Sequence, residues 1–203
     1  MPSAASLDVS RETFERLELY AALLAKWNPR INLVAKSTIP DLWTRHIVDS
    51  LQVFRVFDGT ATHWADLGSG GGFPGLVIAI AAAETGNPAS TTLVESDQRK
   101  ATFLRTVIRE TGIKAEVIAE RIEAVSPLNA DVISARALAD LGKLMGYAAP
   151  HLALGGVCLF QKGKNWKSEV QTAREAWQFS YDALTSTTES DAVVLKIKGL
   201  SRV

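Results

Sequence analysis

The sequence predicts an α/β fold, a mostly parallel, doubly wound sheet preceded by a helical extension. Three observations carry this. From residue 60 onward, apolar runs of strand length alternate with helical patterns, the rhythm of a parallel sheet covered on both faces. A glycine-rich turn, Asp66-Leu-Gly-Ser-Gly-Gly-Gly-Phe-Pro-Gly75, stands where the first strand gives way to a helix. Before residue 60 the apolar spacing is three and four throughout. Residues 1–59 therefore read as a helical extension and 60–203 as the core of a single domain, in a chain of 203 residues that is long enough to bury one full core.

The elements follow in order. From about 9 to 28, Phe14, Leu17, Tyr20, Leu23, Leu24 and Trp27 mark one face of a helix that Ser10 caps and Asn28-Pro29 ends. A second helix is expected from about 40 to 57, with Leu42, His46, Leu51, Phe54 and Phe57 inward and Gly59 closing it. Strands are expected near 61–66, 90–95, 114–118, 130–135 and 155–161, and helices near 74–84, 97–111 and 138–150. Asp97 caps the middle helix of that set, Ala101, Leu104 and Ile108 give its apolar face, and Gly112 stops it. Alternation through Trp177, Phe179, Tyr181 and Ala183, and again through Ala192 to Lys198, predicts two closing antiparallel strands.

Composition excludes several classes. Twenty-two basic and 22 acidic side chains give zero net charge, which argues against holding naked nucleic acid by bulk electrostatics. Lys162, Lys164 and Lys167 nonetheless cluster near the end of the fifth strand. No apolar run reaches membrane-spanning length, and the N-terminus lacks a basic flank with an apolar stretch, so a cytoplasmic monomer is expected. A single cysteine, Cys158, excludes an internal disulfide and reads as a buried thiol within Val157-Cys-Leu-Phe160. His46, His63 and His151 are too scattered to hold a metal, and none is expected.

The glycine turn admits two registers. Gly70-x-Gly72-x-x-Gly75, with Glu95 twenty residues on, fits a dinucleotide and hence a nicotinamide-dependent oxidoreductase. Asp66-x-Gly68-x-Gly70-x-Gly72 instead places an acid at the strand end, which repels a pyrophosphate and favours the ammonium and sulfonium charges of S-adenosylmethionine. The closing strand pair goes with the second register, a Rossmann-like S-adenosylmethionine-dependent methyltransferase fold, because a dehydrogenase repeats its first half.

Ligands of such sheets bind at the carboxyl ends of the strands. Gly68 and Gly70 then lie against the cofactor, with the N–H groups of the following helix facing it, Pro74 in that helix's first turn and Phe73 at the loop's far edge. Glu95 accepts from a ribose diol, while the backbone of 119–123 reads an adenine edge with Ile122 on its face. Arg136, at the fourth exit, faces the meeting point of cofactor and substrate or else pairs with Glu95 or Glu123. His46, beside Arg45, reads as an ion pair with Asp49, and Trp27 and Trp43 as core anchors.

The fourth strand lacks an Asn/Asp-Pro-Pro-Tyr/Phe exit, Cys158 is no nucleophile, and no lysine–aspartate–lysine–glutamate set is evident. An acceptor that needs no base remains, and guanine N7, which carries a lone pair and no proton, meets that condition.

Six segments together resemble one family. They are Lys26-Trp-Asn-Pro-Arg-Ile-Asn-Leu33, Arg45-His-Ile-Val-Asp-Ser-Leu51, Asp66 to Gly75, Arg121-Ile-Glu123, Ser134-Ala-Arg-Ala137 and Lys162-Gly163. The family is the bacterial small-subunit ribosomal RNA guanine-N7 methyltransferase G, also called glucose-inhibited division protein B. The resemblance implies methyl transfer from S-adenosylmethionine to N7 of a guanine (position 527, in the 530 loop) of 16S rRNA. It implies cofactor contacts at Gly68, Phe73, Ile122, Glu123 and Arg136, with Glu95 for the ribose, and an RNA side at Arg45, His46, Asp49, Ser50 and Lys162, which Lys164 extends. Gly71 and Phe73 stand where the family often has Pro and Leu.

Overall fold

In the computed structural model, which describes residues 2–203, the N-terminal helices form where the apolar spacing demands them. A short α1 (Ala4–Leu7) precedes α2 (Arg11–Ile31), whose first turn is capped by the Ser10 side chain accepting from the Thr13 N–H. α2 buries Leu17, Tyr20 and Leu24. It does not stop at Asn28-Pro29 as the sequence suggests. Pro29 sits inside the last turn, where its missing N–H removes one intrahelical bond, and Asn32 in the left-handed conformation (φ 51°) closes the helix. The Asn28 side-chain carbonyl meanwhile accepts from the Val34 N–H at 2.9 Å, fastening the exit.

The expected second helix is a composite. A 3₁₀ turn at Lys36–Thr38 leads to a π-helical turn, Trp43–Val48, which runs directly into α3 (Asp49–Val56). The wider turn resets the side-chain register. Arg45, His46 and Asp49 all come to line one cleft. α3 ends at Val56 with Phe57 extended, so Gly59 lies in the loop beyond and does not close the helix.

The alternating part follows: β1 (His63–Leu67), α4 (Gly75–Thr85), β2 (Ser90–Val94), α5 (Gln98–Thr111), β3 (Glu116–Ile118), β4 (Ala130–Arg136), α6 (Leu141–Ala148), β5 (Leu152–Lys162), α7 (Trp166–Ala173), β6 (Trp177–Thr185) and β7 (Val193–Arg202). The sheet order is β3-β2-β1-β4-β5-β7-β6. β7 runs antiparallel to both β5 and β6. The closing pair is therefore antiparallel as expected, with β7 inserted between β5 and β6. α7 had no periodicity to announce it, since only Val170 and Ala173 of its eight residues are buried.

α4 is buried from Gly75 through Ala82 because it lies between the sheet and the N-terminal helices, which explains an apolar run without a polar face. α2, α4 and α5 share one apolar cluster, and α3 joins α4 against Trp64 in another. α6 and α7 cover the opposite face. The order in which successive strands are laid down reverses between the parallel β1 and β4, and the strand ends at that point open into the cleft.

Candidate active site

The cleft at the carboxyl ends of β1 to β5 encloses about 820 Å³. Its first wall is the glycine turn. Gly68 and Ser69 N–H groups donate to the Val94 carbonyl at 2.9 and 3.0 Å, which pins the turn to the end of β2. Gly70 takes a left-handed φ of +56°, and its N–H donates to Glu95 Oε2 at 2.8 Å. A Cβ at Gly70 would meet nothing closer than 3.8 Å, so backbone conformation rather than space requires glycine there. Glu95 Oε1 accepts from the Asp97 N–H at 2.8 Å. Two backbone donors thus hold a nearly buried carboxylate at the cleft wall, with acceptor capacity left for a diol.

Asp66 does not face the ligand, contrary to the sequence reading. It is completely buried behind the turn, and its Oδ1 accepts from Ser134 Oγ at 2.7 Å, itself the acceptor of the Trp64 indole N–H at 2.9 Å. Burial pushes its pKa up to about 6, against hydrogen bonds from Ser134, Ser69 and Gly75 that oppose the rise. Gly75 makes this seating possible, because a Cβ there would lie 2.7 Å from Asp66 and 2.2 Å from Leu93. The start of α4 is consequently packed on Asp66 and the sheet, and neither Gly75 nor Leu76 lines the cleft. Pro74 precedes α4 and is not in its first turn.

Phe73 is the hinge between the turn and the extension. Its ring stacks on His46 with centroids 5.0 Å apart, lies 5.2 Å from Tyr20, and carries the Arg136 guanidinium 4.8 Å above its centre. Tyr20 donates its hydroxyl to the Gly71 carbonyl at 2.6 Å, and full burial raises its pKa well above the usual phenol value, so it stays a donor. The His46–Asp49 ion pair is absent: His46 Nε2 lies 2.8 Å from Thr38 Oγ1 instead. Burial, with Arg136 and Arg45 nearby, lowers the His46 pKa to about 4, leaving a neutral ring at neutral pH.

Arg136 pairs with neither Glu95 nor Glu123. Its Nη1 lies 3.4 Å from Asp49 Oδ2 and donates to the Arg45 carbonyl at 3.2 Å. Asp49 is a hub, accepting also from Gln52 at 2.6 Å, Thr188 at 2.8 Å and Gln161 at 2.5 Å. Sequence reasoning missed Gln161, whose signal was its place at the end of β5, and Thr188, which had none.

Lys162 is likewise not a free cation. It donates to the Ala139 carbonyl at 2.9 Å and meets Glu169 at 2.5 Å, tying β5 to the start of α6 and to α7. Lys164 and the half-exposed Arg45 stand free enough at the cleft to meet a polyanion. Ile122 and Glu123, on a 3₁₀ turn after β3, line the side nearest Glu95, where Ile122 is nearly buried and offers an apolar face. Trp27 packs on Phe103 and Trp43 stacks on Phe14, as core anchors should. Burial pushes the Cys158 thiol up to about 12, which leaves it inert. The set fits a nucleoside with a charged tail: backbone and Glu95 for the sugar, Ile122 for the base, and Arg136 across the cleft.

Comparison with known proteins gives the family and the fold. The family described as rRNA small subunit methyltransferase G matches residues 13–196. Ribosomal RNA small subunit methyltransferase G of Ruegeria pomeroyi is 59% identical over 203 residues, covering 100% of this chain and 99% of that protein. The protein of the same name from Paramagnetospirillum magneticum is 50% identical over 194 residues, or 96% and 92% of the two chains. Among solved structures, a SAM dependent methyltransferase from Aquifex aeolicus superposes with a TM-score of 0.59 at 11% identity, covering 78% of this chain and 92% of that one. TYW2 of M. jannaschii, in complex with AdoMet, gives 0.56 at 11% identity over 84% and 78%.

Proposed function

The chain belongs to the rRNA small subunit methyltransferase G family and is an S-adenosylmethionine-dependent methyltransferase, and from that premise we propose that it methylates N7 of a guanine in 16S rRNA. The observation that carries this reading is that the carboxylate and the lysine at the β4–β5 end of the cleft are already paired, while the unpartnered Nδ1 of His46 is only weakly basic. Asp49 accepts from four side chains, Lys162 is ion-paired, His46 is neutral with its Nε2 held by Thr38, and Asp66 lies behind the wall. A site so arranged suits an acceptor with a lone pair and no proton to lose, and guanine N7 is such an atom.

The cofactor supplies a methyl group on a sulfonium centre. The protein's part is placement. Glu95 orients the ribose, Ile122 packs on the adenine, and the backbone of 68–71 passes close to both. Arg136, clamped by Asp49 and stacked on Phe73, sits between the two halves of the cleft and fixes their relation. Zero net charge supports docking on a preformed ribosomal surface rather than capture of free RNA, with Arg45 and Lys164 at the mouth meeting phosphates. No described helix is long and apolar enough to cross a membrane. The proposed setting is the cytoplasm, where one copy of the chain acts on the small subunit.

The test is methylation of purified small subunits with labelled cofactor, followed by nucleoside analysis. The expected product is 7-methylguanosine in 16S rRNA, with little incorporation into unrelated RNA. Label on any other atom, or none on any form of small-subunit RNA, ends the reading.

A further inference from the structure

N7 chemistry alone does not choose a base, because adenine also carries a lone pair and no proton at N7. Something in the cleft must read the rest of the ring. With N7 turned toward the methyl donor, guanine presents N1–H and its 2-amino group on the opposite edge, whereas adenine has an acceptor at N1. Two adjacent donors match one carboxylate, which accepts them together.

Six carboxylates line the cleft: Asp49, Glu95, Glu120, Glu123, Glu169 and Glu189. Asp49 has its four partners and Glu95 its two backbone donors. Glu169 holds Lys162 and accepts from the Leu141 N–H. Glu120 and Glu123 follow β3, on the cofactor side. Glu189 remains. It sits on the connection between β6 and β7, and its partner is Arg45 at 3.8 Å, with both side chains about half exposed (55% and 47%). Such a pair is weak and readily exchanged.

The connection that carries Glu189 is nevertheless anchored. Gln52 accepts from the Thr187 N–H at 3.0 Å and donates to Ser186 Oγ at 3.1 Å, while Thr188 donates to Asp49 at 2.8 Å. A loosely engaged carboxylate thus stands on a fixed support at the acceptor side.

Given the guanine-N7 reading above, on which this rests, we infer that Glu189 is the specificity-determining residue for the acceptor base. Its carboxylate accepts from N1–H and the 2-amino group of guanine, and Arg45, released from Glu189, turns to an RNA phosphate. The experiment compares wild-type enzyme and Glu189→Gln on small subunits reconstituted with guanine, inosine or 7-deazaguanine at the target position. Inosine lacks only the 2-amino group. The substitution is expected to lower kcat/KM on guanine by about 10- to 100-fold, with S-adenosylhomocysteine affinity unchanged. Inosine is expected to cost the wild type a similar factor and to cost Glu189→Gln little more, because both changes remove one contact. Wild-type turnover by Glu189→Gln, or equal inosine penalties in both enzymes, overturns the assignment. Methylation of 7-deazaguanine refutes the N7 reading separately, since the inosine comparison reports base recognition wherever the methyl lands.

Discussion

The two halves of the cleft are built in opposite ways. On the cofactor side, backbone groups of adjacent strand–turn units do the holding: Gly70 and Glu95 are 25 residues apart, and Asp97 and Glu95 only two. On the acceptor side, side chains from remote segments meet at one carboxylate, with Asp49 lying 87 residues from Arg136, 112 from Gln161 and 139 from Thr188. A half held by local backbone contacts keeps its shape when a side chain changes, whereas a half gathered from remote segments on one hub loses its shape when the hub is lost. Cofactor affinity and acceptor turnover should therefore respond to different residues.

The sharpest break is Asp49→Ala. It strands a nearly buried guanidinium, since the Arg136 and Asp49 side chains are 18% and 17% exposed, and it frees three further donors. Loss of one partner of such a pair costs about 3 kcal/mol in unfolding free energy. Turnover on small subunits should fall more than S-adenosylhomocysteine affinity, as calorimetry beside kinetics will show. Equal losses in both would contradict the division of the cleft.

Asp66 gives a pH test of the wall between the halves. Its pKa rises from 3.8 to about 6 on folding, so the folded state binds more protons than the unfolded one between those values. Stability contributed by the protonated form is full below pH 3.8 and is lost as pH climbs through 6, a change on the order of 2–3 kcal/mol. Asp66→Asn keeps an acceptor for Ser134 and carries no charge. Chemical denaturation across pH 4–7 should show the downward component in the wild type and not in the variant. Cofactor affinity should survive, because Asp66 does not line the cleft; its collapse would restore Asp66 to the site.

On the cofactor side, Glu95→Ala is expected to weaken S-adenosylhomocysteine by about 1.5–3 kcal/mol, the worth of hydrogen bonds to a charged acceptor. Unfolding should change by about 1 kcal/mol or less, since Gly70 and Asp97 N–H groups at the cleft wall can turn to water. An unaltered binding isotherm would remove Glu95 from the ribose.

This division also explains what the sequence made legible. The Gly68–Gly70 turn, the Asp97 cap and Glu95 are local patterns whose physics acts within a few residues, and each stands where expected. Asp66 misled because a strand-end acid looks identical in sequence whether it faces the cleft or, as here, the underside of α4. Pro29 misled because its cost is small in a final turn. Arg136 was legible as a cleft residue but its partner was not, because Asp49 reaches it through a π-helical turn that apolar spacing does not announce. Thr188 and Glu189, on a connection without regular structure, carry no local signal at all.

The smallest effect separates two lysines that look alike in sequence. Lys162 is nearly buried on Glu169 and Ala139, so its removal loosens α6 and α7 and shows in stability. Lys164 is exposed at the cleft, and Lys164→Ala should move unfolding by less than about 0.5 kcal/mol. Its charge has only the polyanion to act on. The salt dependence of affinity for small subunits should therefore flatten by about one phosphate contact. A slope that stays at the wild-type value would mean that the RNA approaches from the Arg45 side alone, leaving the end of β5 outside the footprint.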